Sequence, residues 1–228
     1  MPLITTNVEP VAKIKVIGIG GAGCNAINTM MTDYDIPGVE FMAFNTDAQT
    51  LKLSKAPITL QLGENLTKGL GVGGNQELGA QAAEESLDQI QELIEGADMV
   101  FITAGMGGGT GTGAAPIIAG VAKNMGALTV AVVTKPFDFE GKRRMEVAEE
   151  GLNNLRDKVD TLIVVPNQRL LEIADENISF IDAMKMVDSV LAEGVNSISM
   201  LISQTGYINE DFNDAKSVMQ NAGTALMG

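Results

Sequence analysis

Between residues 105 and 113 the chain reads Gly-Met-Gly-Gly-Gly-Thr-Gly-Thr-Gly, directly after the apolar stretch Met99 to Ala104. Glycine reaches backbone angles closed to other residues and carries no side chain, so such a loop can turn its amide N–H groups inward around an anion. Thr110 and Thr112 add hydroxyl donors. The next segment, Gly113 to Asn124, reads as a helix with small residues and Pro116 in its first turns, so its positive end would point at the same anion. Strand, loop and helix together suit a phosphate-binding turn. A flexible linker would not sit between a buried strand and an apolar helix.

Two further glycine stretches extend the pattern. Gly18-Ile-Gly-Gly-Ala-Gly23 fits G-x-G-x-x-G after a strand and before a helix, which alone would favour a dinucleotide-binding oxidoreductase. The loop at 107 to 113 argues against that, because a dinucleotide fold requires only one such turn. No G-x-x-x-x-G-K-[S/T] exists, which excludes a P-loop enzyme. Gly69-Leu-Gly-Val-Gly-Gly74 lies before another helix and brings Gly73 and Gly74 to the same rim. A triphosphate is long enough to touch several of these loops. Asn45 and Asp47, just past a strand end, suit ribose, a metal-bound water or phosphate, or else a capping turn.

The elements that must position these loops alternate between apolar strands and amphipathic helices. Strands are expected at Lys13 to Ile19, Val39 to Asn45, Ile58 to Leu62, Met99 to Ala104, Ala127 to Thr134 and Thr161 to Val165. Helices are expected at Gly23 to Thr32, Asn75 to Glu95, Thr112 to Asn124 and Gly141 to Lys158. Continuous apolar runs such as Ala127 to Val133 indicate strands buried on both faces. The fold class that follows is α/β, a three-layer Rossmann-like sandwich with a mainly parallel sheet. Ligands in such folds sit beyond the C-terminal strand ends, where the glycine loops fall.

A long core helix follows from Phe180 to Gln204, with Phe180, Met184, Val187, Leu191, Val195, Ile198 and Ile202 on one face. A loop leads to a last helix from about Asp211. The expected division is a flexible arm over 1–12, a nucleotide-binding domain over 13–179, the long helix over 180–204 and a final loop and helix over 205–228.

Composition narrows the function classes. The 228 residues are 45% hydrophobic, enough for a sizeable core, and the net charge of −14 opposes binding to nucleic acid or anionic lipid. A bound phosphate must therefore be held locally, by backbone amides, a helix terminus and Mg²⁺. There is no histidine, which excludes His-based catalysis and leaves a serine or cysteine nucleophile without its usual base. Cys24 is the only cysteine, so no intrachain disulfide forms, and no basic-then-apolar leader opens the chain. The cytoplasm is the expected compartment, and no apolar run approaches the roughly 18 residues of a membrane span. No metal-ligating side chain is assigned.

The combination of Gly20-Gly-Ala-Gly-Cys-Asn25, Asn45-Thr-Asp-Ala48, Gly107 to Gly113, Thr134-Lys-Pro-Phe-Asp-Phe-Glu-Gly141 and Asn209-Glu-Asp-Phe-Asn-Asp214 resembles the FtsZ family of the tubulin superfamily from about residue 13 to 228. The resemblance implies a GTPase that polymerises head to tail into the filaments of the bacterial division ring at mid-cell, with GTP or GDP and Mg²⁺ as cofactors. It implies phosphate contacts from the loops Gly20, Gly21, Ala22, Gly23 and Gly107, Gly108, Gly109, Thr110, Gly111, Thr112, Gly113. Thr134, Pro136, Glu140 and Arg144 match the ribose and base region, and Asn25, Asn167 and Asp188 the guanine side. A carboxylate at 188 makes chemical sense, since guanine offers it a ring N–H and an amino group, although a solvated helix face also fits. Met184 stands where many relatives carry an aromatic ring, and packs against the base or simply in the core. Val72 and Gln76 replace a smaller residue and a proline in the third loop.

Asn209, Asp211 and Asp214 read alone as a helix cap with acids at a helix start. By resemblance they are catalytic, entering the nucleotide site of the next subunit, where the aspartates polarise the attacking water. The resemblance also implies adaptor binding through a C-terminal tail and a second domain absent from this sequence. A truncated chain that binds GTP but neither polymerises normally nor hydrolyses it fast is the corresponding expectation. A non-hydrolysing nucleotide-binding scaffold and a nicotinamide-dependent oxidoreductase remain as readings from other classes.

Overall fold

The computed structural model describes residues 12–36, 38–174, 178–203 and 212–226. In chain order the elements are β1 (Ile14–Ile19), α1 (Gly20–Asp33), β2 (Val39–Asn45), α2 (Ala48–Lys52), β3 (Ile58–Gln61), α3 (Glu64–Thr67), α4 (Gln76–Glu85), α5 (Leu87–Ile94), β4 (Met99–Gly105) and α6 (Thr110–Asn124). After β5 (Leu128–Lys135) and a 3-10 turn (Asp138–Glu140) come α7 (Lys142–Arg156), β6 (Thr161–Pro166), α8 (Asn167–Ile173), α9 (Phe180–Ser203), α10 (Phe212–Met219) and β7 (Gly223–Leu226).

The seven strands form one sheet in the order β3-β2-β1-β4-β5-β6-β7, and every pair is parallel. Alternate residues of each strand enter different cores. Val100, Ile102 and Ala104 of β4 and Ala131 and Val133 of β5 join Ala115 and Ile118 of α6 and Leu152 of α7. Met99 and Phe101, with Val130 and Val132, join Ile27 and Met30 of α1 and Leu191 and Val195 of α9 on the opposite face. A sheet covered on both faces demands apolar residues at successive positions, which explains the unbroken Leu-Thr-Val-Ala-Val-Val of β5.

Several boundaries differ from the sequence reading for local reasons. Helix α1 starts at Gly20 rather than Gly23, because Gly20 takes a φ of 71° that turns the strand directly into the helix. The helix expected over Asn75 to Glu95 is two, broken at Ser86, whose hydroxyl accepts the Gly63 N–H at 3.0 Å. The short α2, α3 and α8 and the seventh strand carry too few residues for a periodic signal. Phe180, assigned to the buried stripe of α9, is 61% exposed; its ring lies edge-on to Phe139 at 5.9 Å, and full burial begins at Ala183. Of the expected N-terminal arm only residue 12 is described, and Asn209 and Asp211 also lie outside the described residues.

Candidate nucleotide site

Helices α1 and α6 both begin at the C-terminal edge of the sheet, following the neighbouring strands β1 and β4. No side chain of the described residues caps either helix, whereas Asp47 caps α2 and Asn75 caps α4. An α-helix leaves its first N–H groups without intrahelical partners. Two uncapped starts side by side therefore present a cluster of amide donors and two positive dipole ends to one point.

A cavity of about 360 Å³ opens at that point. Gly20, Gly21 and Ala22 line it from α1 and Gly108, Gly109, Thr110 and Gly111 from the second loop; Asn25, Thr134, Pro136, Glu140, Arg144, Asn167, Met184 and Asp188 complete it. Ile19, Gly105, Met106 and Val187 also line it; Gly105 and Met106 open the glycine run read as a phosphate turn, though neither was assigned as a contact. Ile19 and Val187 were missed, although Val187 lies three residues beyond Met184 on the same helix face.

The base-side groups have an unusual chemistry. Asp188 is half-buried, and burial pushes its carboxyl up to about 7. Asn167 is 5% exposed, and its Oδ1 is buried without a hydrogen-bond partner among the described residues. A buried acceptor of this kind costs about 1–3 kcal/mol unless a donor arrives. Glu140 is already engaged: Oε1 accepts the Phe137 N–H at 2.8 Å and Oε2 pairs with Arg144 at 3.1 Å.

Other expected residues shape the cavity without lining it. Thr112 is buried, and its hydroxyl accepts the Gly107 N–H at 2.9 Å, so it fixes the loop instead of offering a donor to an anion. Thr110 lines the cavity but shares a 2.6 Å hydrogen bond with the Thr46 hydroxyl. Gly113 sits against α4, where a Cβ would overlap the Gln76 carbonyl oxygen, and Gly23 is pressed against the Thr103 carbonyl. Asn45 is buried behind the site; its Oδ1 accepts the Asp47 N–H at 3.3 Å. Asp47 takes the capping role: it accepts the Gln49 N–H at 2.8 Å and the Thr50 N–H at 3.4 Å, and these bonds, the first above all, hold its carboxyl below the usual range. Gly73, Gly74 and Gly107 line an adjoining cavity that shares Gly108 and Gly109 with the first.

Asp214 sits on α10 and lines neither cavity. The carbonyl of Met219, at the end of α10, accepts the hydroxyl of Thr161 at 2.8 Å, and Thr161 is the first residue of β6. The cavity lies past the other end of that strand, roughly 17 Å away for six extended residues. Among the described residues no group of three His, Cys, Asp or Glu could hold a metal.

Residues 13–175 match the family model for the GTPase domain of the Tubulin/FtsZ family. FtsZ of M. jannaschii, solved as an empty dimer, is 49% identical, with a TM-score of 0.91 over 95% of this chain and 63% of that one. A mutant of the same protein is 50% identical, with a TM-score of 0.90 over 94% of this chain and 64% of that one. CetZ2 from Haloferax volcanii, a GTPγS-bound protofilament, shares the fold at 22% identity and a TM-score of 0.81, over 94% and 64% of the two chains. This chain thus spans less than two thirds of the length of the structures it matches. With an all-parallel sheet and paired uncapped helices at one glycine-lined cavity, the chain belongs to the Tubulin/FtsZ family, GTPase domain.

Proposed function

We propose that this chain binds and hydrolyses GTP and assembles head to tail into cytoskeletal filaments, in the cytoplasm at the site of cell division. The observation that carries the nucleotide reading is the polarity of the cavity. One end offers amide donors from α1 and α6 to phosphates, and the other offers two acceptors, the Asp188 carboxylate and Asn167 Oδ1, the latter buried with no donor among the described residues. Guanine presents a ring N–H and an amino group that suit such acceptors, whereas adenine presents only an amino group. Met184 covers the same end with a polarizable thioether in place of a ring.

Hydrolysis would then require Asn209, Asp211 and Asp214 from a second molecule. In favour of this, the C-terminal end of α10 is anchored at the edge of the sheet opposite the cavity, and Asp214 is not among the residues that line its own cavity. A head-to-tail contact between unlike surfaces repeats into an open filament, and the neighbour's carboxylates would orient and polarise the attacking water. Mg²⁺ would travel with the nucleotide and neutralise its phosphates.

The test is GTP turnover as a function of protein concentration. Turnover per molecule should rise with concentration, and Asp214→Ala should lower it by roughly 10²-fold or more at unchanged GTP affinity. Mixing Asp214→Ala with a variant unable to bind nucleotide, such as Gly21→Trp, should restore part of the rate. A rate per molecule independent of concentration and indifferent to Asp214→Ala would contradict the proposal.

A further inference from the structure

A second cavity of about 780 Å³ adjoins the nucleotide site, with Gly73, Gly74 and Gln76 on one wall and Arg143 and Arg144 on the other. The two cavities share Gly108, Gly109, Glu140 and Arg144 and so adjoin at the uncapped start of α6. A phosphate held by those amides lies beside the second cavity.

The two arginines differ in whether a carboxylate already pairs with them. Arg144 is paired with Glu140 at 3.1 Å. No carboxylate of the described residues lies within 4.0 Å of Arg143, which is exposed in the first turn of α7. Glu77, in the first turn of α4, lines the same space and opposes anions. The balance suits an anion that is held weakly and briefly. Along the outer side, Gln76 Nε2 donates to Glu150 Oε2 at 2.7 Å and ties α4 to α7.

We propose that the second cavity is a weak subsite for inorganic phosphate, with Arg143 as its cation, on the path by which phosphate leaves the nucleotide cavity. The inference rests on the nucleotide reading above. The subsite receives orthophosphate after the bond to the nucleotide is broken and takes no part in breaking it. Weak binding is what the role requires, because a tightly held product would block the next turnover. A compact, planar guanidinium with several donors suits a tetrahedral oxyanion.

The test loads the full chain with GDP and titrates radiolabelled orthophosphate. Saturable binding without loss of GDP is expected, and Arg143→Gln should weaken it at least about tenfold, the loss expected for one charge-assisted hydrogen bond, with GDP affinity unchanged. Arg143→Lys should retain most of the affinity. In a second arm the label enters as the γ-phosphate of GTP, and it should leave the protein faster from Arg143→Gln than from the parent. Unaltered phosphate affinity in Arg143→Gln, one-for-one displacement of GDP, or the absence of saturable binding would overturn the subsite. Equal release rates in the second arm would overturn the exit path and leave a site filled from solution. A chain that cannot be loaded with GDP would contradict the nucleotide reading itself.

Discussion

On the proposed reading Asp188 is the residue on which base recognition turns, and its protonation would set a pH dependence. Burial raises its pKa to about 7, above the unfolded value near 3.9. A carboxyl raised in this way opposes folding once it must ionise, so the free chain should lose stability as pH rises from about 4 to about 7. Asp188→Asn should remove that loss. Only the ionised carboxylate can accept both guanine donors, so GDP affinity should fall below about pH 7, approaching tenfold per unit, and Asp188→Asn should flatten the profile. Nucleotide titrations across that range check both statements, and a wild-type affinity indifferent to pH would contradict them. Cys24 offers a second residue-level test. Burial pushes its thiol up to about 12, outweighing a 3.9 Å hydrogen bond from Asn45, and the side chain is 1% exposed. It should resist alkylation at neutral pH in the native chain and react fully in denaturant. Rapid native labelling would mean that α1 opens readily.

At the scale of elements, the site depends on how closely α4 and α6 approach. Gly113 of α6 faces the Gln76 carbonyl oxygen and the Ala80 amide with no room for a side chain. Gly113→Ala should therefore force the helices apart and cost about 1–3 kcal/mol or more, read as a lower denaturation midpoint in urea. It should also weaken nucleotide binding, because the same movement displaces Gly109 and Thr110. An unchanged midpoint would show that the contact yields freely. The strands and long helices of this arrangement were legible because burial on both faces writes itself as continuous apolar runs and amphipathic periods. The glycine loops were legible as turns at the C-terminal strand ends, where they line the cavities. What stayed hidden depends on tertiary partners. Nothing in the sequence near Thr112 says that its hydroxyl closes the loop onto Gly107, or near Asn45 that it lies behind the cavity. Residues such as Met106 and Arg143 join a cavity only because distant segments fold around them.

For the molecule as a whole, the decisive feature is that the cavity and the end of α10 lie at opposite edges of one parallel sheet. The cavity opens beyond the C-terminal strand ends, and α10 is fixed at the N-terminal end of β6 by Thr161 and by the in-register pairing of β7. On the proposed reading, stacking of like molecules would bring the Asp214 helix of one copy to the cavity of the next. With a net charge of −14, such stacking must overcome repulsion between copies, so assembly should strengthen as salt screens it. All of this presupposes that the cavity reads guanine. The most direct measurement is competition binding: labelled GTP with Mg²⁺ on this chain, displaced in turn by GDP, ATP and NAD. Displacement by GDP, with ATP and NAD inert at the same concentrations, is the predicted result. Equal displacement by ATP, or displacement by NAD, would contradict it.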